Sequence, residues 1–328
     1  MTLPNFEMLS QLNTNRDCIE TRSDLIQQLE QKGAFYDVQL VDNYWYDSSK
    51  FEEDDMGFQE TGKKTVVNMD LMKSIGVVSA SYVPVLNQEI FEKFNVVLEN
   101  CEDINLDGAY TEVQTSHDGA RIMVEYVLPA HTVTLMNGDE VALRITALNS
   151  FDGSTGFKVY CGGIRFKCMN GMVLGDMMAT YHAKHSAGLC LDSAAKVIET
   201  GLTAYLQGVD TWNAQIKTEV DGSTVFHALA EMAGIKEHAM FDTIVDYNAY
   251  REKQNGGHPP RKVLIDSYFE VYRDYSNELG STQWAVNNAL THISTHGVRD
   301  SKPSIQSQTN KAELAVKLIK KYLTSTED

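Results

Sequence analysis

The feature that most constrains this chain is a change of period near residue 170. Between residues 109 and 168, apolar and polar residues alternate in short runs: AYTEVQT, ARIMVEYVL, HTVTLM, EVALRITAL, GFKVYC and GIRFKC. HDG, Pro129, NGD, FDGS and GG separate them, and each is turn chemistry. Six such runs predict an antiparallel β-meander. After Cys168 the apolar spacing becomes three and four residues. That predicts helices over 172–186, over 190–207 and through most of the remainder, with loops at 256–260 and 298–309. Strands first and helices afterwards give the α+β class, not an alternating doubly wound fold.

Upstream, RSDLIQQLEQK (22–32) predicts a short amphipathic helix, with Ser23 as cap and Gly33 as stop. FYDVQLV reads as a strand, as do KTVVNMDL and IGVVSASYVPVL. NQEIFEKFNVVLEN (87–100) predicts a helix capped by Asn87. Between these elements, YWYDSSKFEEDDMGFQETGKK reads as an acidic, aromatic, solvated loop. Its run Glu52, Glu53, Asp54, Asp55 lacks the alternate spacing and glycine turn of a calcium loop. A chain of 328 residues suggests about two domains at roughly 150 residues each. We expect an acidic segment at 1–63 with a short helix and strand, an α+β core at 64–208 and a helical region at 209–328.

Charge narrows the partners. Forty-five acidic against 28 basic residues give a net charge of −17. Such a chain does not coat nucleic acid or anionic membrane indiscriminately. Residues 1–110 hold 20 acidic and 8 basic residues, whereas 140–186 carry Arg144, Lys158, Arg165, Lys167 and Lys184 against three acids. The middle is therefore locally basic. No apolar run approaches the roughly 20 residues of a membrane helix, and the N-terminus lacks the pattern of a secretory signal. Five cysteines without a CxxC read as reduced thiols, so a cytoplasmic location is expected.

Walker, dinucleotide, GxSxG and HExxH motifs are absent from the sequence. Cys161, Cys168, His182, His185 and Cys190 fall within 30 residues, and thiolate with imidazole suits zinc. The spacing is not that of a zinc knuckle, so separate structural roles are expected and neither a metal nor another cofactor is assigned. In Phe157-Lys158-Val159-Tyr160 and Arg165-Phe166-Lys167, aromatic and basic residues interleave. Two adjacent strands would then show Lys158, Tyr160, Arg165 and Lys167 on one polar face, the pattern of single-strand binders. The alternative is an ordinary amphipathic hairpin. The last helix, KAELAVKLIKKYL, reads as a docking helix.

SIGVVSASYVPVLNQEIFEKF, LNSFDGSTGFKVYCGGIRFKCMNGMV, HAKHS and GSTQWAVNNALTHISTH resemble the phage/plasmid-like protein family, domain of unknown function 932. The family's positions fall here on Tyr82; on Asn149, Ser150, Asp152, Gly153 and Ser154; on Arg165, Cys168 and Asn170; on His185; and on Trp284, Asn288 and Ala289. The resemblance spans roughly 65–300. It departs at Phe151, where the family more often has His, and leaves the acidic N-terminal region unmatched. It implies a product of phages or mobile elements, encoded near replication and recombination genes in a bacterial host. A meander followed by a helix is also similar to phage single-strand annealing proteins of the RecT and Red-beta type.

Three functions follow as expectations. The first is a non-enzymatic protein of DNA metabolism that binds or anneals single-stranded DNA through Arg144, Lys158, Tyr160, Arg165, Lys167 and Lys184. In it, the 149–154 turn adds hydrogen bonds to phosphate. Replication proteins of phage or host, or a second copy of the chain, would be further partners, and no membrane. The second is an acidic protein-interaction or DNA-mimic protein acting on a host factor. The third is an enzyme centred on Cys168, Asn170, His185 and Asp152.

Overall fold

A computed structural model of the chain describes residues 24–52, 55–167, 170–172, 180–183, 192–255, 260–298 and 303–323. Helix α1 (Asp24–Gln31) buries Leu25, Ile26 and Leu29. Gly33 adopts φ +71°, which ends the helix as its sequence predicts. The expected cap, Ser23, lies outside the described residues.

Strands β1 (Val38–Glu52), β2 (Asp55–Asn68) and β3 (Lys73–Ser79) form an antiparallel sheet in that order. The expected solvated loop is therefore strand: β1 and β2 run through it as a long hairpin. β3 pairs only with Lys63–Asn68, so the hairpin from Tyr44 to Glu60 continues as a two-stranded ribbon. The register shifts between Asp42 and Tyr44, where Asn43 bonds Thr61 and Thr65 and Gly62 takes φ +69°. That is a bulge at the base of the ribbon.

Helix α2 (Asn87–Glu99) starts where expected, but Asn87 is not its cap. The Asn87 side chain is fully buried, donates to the Ala34 carbonyl and accepts from Asn149. Strands β4 (Tyr110–Ser116), β5 (Arg121–Thr134), β6 (Glu140–Ser150) and β7 (Phe157–Arg165) follow in sheet order, with β8 (Asn170–Met172) and β9 (Thr180–Ala183) both pairing β7. The six expected strands of 109–168 are thus four longer ones. Pro129 lies inside β5, beyond the last β4 partner pair Tyr110–Val127, where a missing N–H is tolerated. Gly162 and Gly163 lie inside β7 and make no turn. Within the helix expected over 172–186, the described residues 172 and 180–183 are strand, and the others lie outside the described residues. The free edge of β4 is covered by α1: Gln28 bonds Ala109 and Thr111, and Lys32 bonds the Thr111 carbonyl.

The remainder is helical, as its periodicity predicts. It comprises α3 (Asp192–Lys217), α4 (Gly222–Met232), a 3₁₀ turn (Lys236–Met240), α5 (Ile244–Asn255), α6 (Pro260–Leu279), α7 (Gln283–Thr295) and α8 (Ile305–Leu323). No described helix is long and apolar enough to cross a membrane.

Two compact units share the chain: residues 1–130, 145–161 and 179–200 form one, and residues 131–144, 162–178 and 201–328 the other. The first unit has a core of Val38, Val66, Ile75, Val78, Ala120 and Phe151. Phe91, Phe94, Tyr126 and Phe157 make a second group of ring contacts there. The second unit buries one apolar stripe each of α4, α6, α7 and α8. Within it, Trp212 and Trp284 are fully buried with ring centroids 6.2 Å apart.

Candidate functional site

The family-motif turn between β6 and β7 is built for internal bonding. Asn149 donates to Asn87 at 2.8 Å, and the Phe151 amide donates to the Ala120 carbonyl. Ser150 Oγ donates to the Thr155 carbonyl and accepts from the Thr155 amide. The Asp152 carboxylate accepts from the Ser154 amide and pairs with Arg121 at 2.8 Å. Burial raises the Asp152 carboxyl, but hydrogen bonds from Ser154 and Arg121 outweigh it and hold the group below its ordinary value. Gly153 adopts φ +73°. Tyr82 reaches the Ser150 carbonyl at 3.4 Å, and burial pushes its phenol up. A Cβ on Gly76 would stand 2.7 Å from Asp152 Cα, so the turn requires glycine there. The Asn149 and Ser150 groups expected to meet phosphate are spent on this brace.

A second constellation lies in the other unit. Arg165, at the end of β7, is completely buried. Its Nη2 donates to Asp139 and to Glu278, both at 2.7 Å, and Nη1 approaches Asn288 at 3.5 Å. Trp284 donates its indole N–H to Asp139 at 2.9 Å. Burial raises the Asp139 carboxyl, but bonds from Arg165, Trp284 and Asn137 outweigh it and hold the group below its ordinary value. Glu278, which also pairs with exposed Lys167 at 2.8 Å, is lowered against burial by both cations. Three motif residues far apart in sequence, Arg165, Trp284 and Asn288, thus meet in one neutralised cluster. Ala289 packs against Tyr275 nearby.

The expected basic face does not form as drawn. With Gly162 and Gly163 inside a continuous β7, Arg165 has the strand parity of Phe157 and Val159, opposite to Lys158 and Tyr160. Tyr160 is buried, Lys158 and Arg144 are half-buried, and Lys167 is exposed but paired. Lys184, Cys168, His185 and Cys190 lie outside the described residues, and the backbones of Asn170 and His182 pair opposite Arg165 and Lys158. His182 lies on β9, not in the helix expected over 172–186. Burial pushes the Cys161 thiol up to about 12, which makes it inert. Among the described residues, no group of three His, Cys, Asp or Glu side chains could hold a metal. His227 and His238 share one hydrogen bond, Nδ1 to Nδ1 at 3.1 Å.

Sequence reasoning weighed the acidic run at 52–55 but nominated none of the ribbon's aromatic residues. Tyr44, Trp45, Tyr46 and Phe58 are 50, 51, 54 and 54% exposed. Tyr46 lies opposite Phe58 and Tyr44 opposite Glu60, with the Tyr46 and Phe58 ring centroids 5.7 Å apart. The signal was present as aromatic residues placed on either side of an acidic centre at 52–55, the pattern of a hairpin.

A mixed sheet-and-helix chain with this motif turn and this Arg–Trp–Asn cluster defines an α+β protein with two units whose segments alternate along the sequence. The family described as domain of unknown function (DUF932) matches residues 74–319, and the chain belongs to that family. No curated protein and no solved structure matches the chain. The ribbon lies ahead of the matched residues.

Proposed function

We propose that this chain is a binding protein that presents acidic, aromatic surface to a basic partner, as an interaction or DNA-mimic protein would. The ribbon from Tyr44 to Glu60 carries this reading. Its rings stand half in water, and residues 41–62 hold seven acids and one lysine. Exposed apolar groups in such number mark an interaction site. The cations that would serve a nucleic-acid groove are poorly placed for it: Arg165 is buried and Lys167 is engaged by Glu278. A role in phage or mobile-element biology is compatible with this, because a protein that occupies the basic surface of a nucleic-acid-binding factor needs no catalytic centre.

Paired titrations at low salt test the reading. A fluorescent basic peptide should bind the intact chain, and a labelled single-stranded oligonucleotide should not. Oligonucleotide binding that falls steeply with salt, with no peptide binding, would overturn it in favour of single-strand binding or annealing.

A further inference from the structure

We infer that one face of the ribbon, formed by Tyr44, Tyr46, Phe58 and Glu60, is a docking surface for an extended, arginine-containing segment of a partner protein. This rests on the acidic-binding reading above and specifies its partner.

The register puts these four side chains together. Tyr44 and Tyr46 are two residues apart on β1, and their direct partners on β2 are Glu60 and Phe58. Residues two apart, and their cross-strand partners, share one face of a sheet. The result is a strip of three large rings, each about half exposed, with a carboxylate at one end. Among the described residues no third strand pairs with it, since β3 stops pairing at Lys63. A two-stranded ribbon gains little stability alone, and these rings add no buried core to it. Their placement is explained by what lands on them.

Charge selects the occupant. With seven acids to one lysine over residues 41–62, a second copy would bring carboxylate against carboxylate, and a nucleic acid would be repelled. A cationic segment is attracted. Among cations, guanidinium fits best: its plane stacks on aromatic faces and its fork matches a carboxylate. β1 is also the edge strand of its sheet, so an extended segment has a backbone ladder to join.

The experiment uses the full chain and two labelled nine-residue peptides of equal charge, one alternating Arg with Ser and the other Lys with Ser. The arginine peptide should bind several-fold more tightly. Tyr46→Leu and Phe58→Leu keep apolar area and charge, so each should weaken arginine-peptide binding roughly two- to five-fold, with little effect on the lysine peptide. Circular dichroism of each variant checks the fold, and a Tyr44→Leu variant gives an independent reading of the same face. Equal binding of both peptides, unmoved by all three variants, would overturn the arginine surface and leave only a general acidic attraction. Failure of both peptides to bind would remove the acidic-binding reading as well. Self-association abolished by Tyr46→Leu would assign the face to a second copy and overturn the proposal.

Discussion

The Arg165 cluster and the ribbon invert what each segment promises on its own. Arg165 sits in a run that alternates like a solvent-facing basic strand, yet it is completely buried against Asp139 and Glu278. Tyr44, Tyr46 and Phe58 sit in a run dense with carboxylates, yet they form strand with their rings half in water. Buried charge and exposed aromatic surface are the informative departures from the usual distribution of side chains. Here they separate a region that holds the fold from a region available to a partner.

The largest test of that division is Arg165→Met. It strands Asp139 in the interior without its cation and should cost about 3–5 kcal/mol in urea unfolding. A loss below about 1 kcal/mol would erase the distinction between cluster and surface. Gly76→Ala forces a methyl group against the Asp152 backbone and should cost roughly 1–3 kcal/mol by the same measurement.

Acid should affect the buried groups selectively. Burial, aided by the charge of His296, lowers His292 to about 4. The unfolded chain therefore binds a proton near pH 6.5 that the folded chain refuses until about pH 4. Stability from this group is complete above pH 6.5 and falls as pH drops through that window. A His292→Gln variant should flatten the slope of melting temperature against pH there. Asp139 and Glu278 are lowered, so their contribution is complete above the ordinary carboxylate range and lost only at lower pH. The smallest expected effect is on the ribbon. Tyr46→Leu should shift unfolding stability by about 0.5 kcal/mol or less, although it weakens peptide binding. A large loss would move the ribbon into the same class as the Arg165 cluster.

Local signals carried much of the architecture. Gly33 stops α1, and the three- and four-residue spacing after residue 190 forms helices. What local reading missed depended on partners distant in the chain. Pro129 and the Gly162–Gly163 pair are turn residues in isolation, but neighbouring strands carry both positions straight through. That one change moves Arg165 to the other side of β7 and dissolves the expected basic face. Asn87 satisfies every local rule for a cap, but Asn149 and the Ala34 carbonyl, 62 and 53 residues away, claim its side chain. The Arg165 cluster gathers residues 139, 165, 278, 284 and 288, and no spacing in the sequence announces it.

The division of the chain also governs its synthesis. The backbone changes unit five times, after residues 130, 144, 161, 178 and 200. The unit that begins at the N-terminus therefore lacks its last segment until residue 200 has left the ribosome. Its ribbon and first sheet pair within residues 38–79 and can form early, but the unit closes only with residues 179–200, and no single cut in the chain separates one unit from the other.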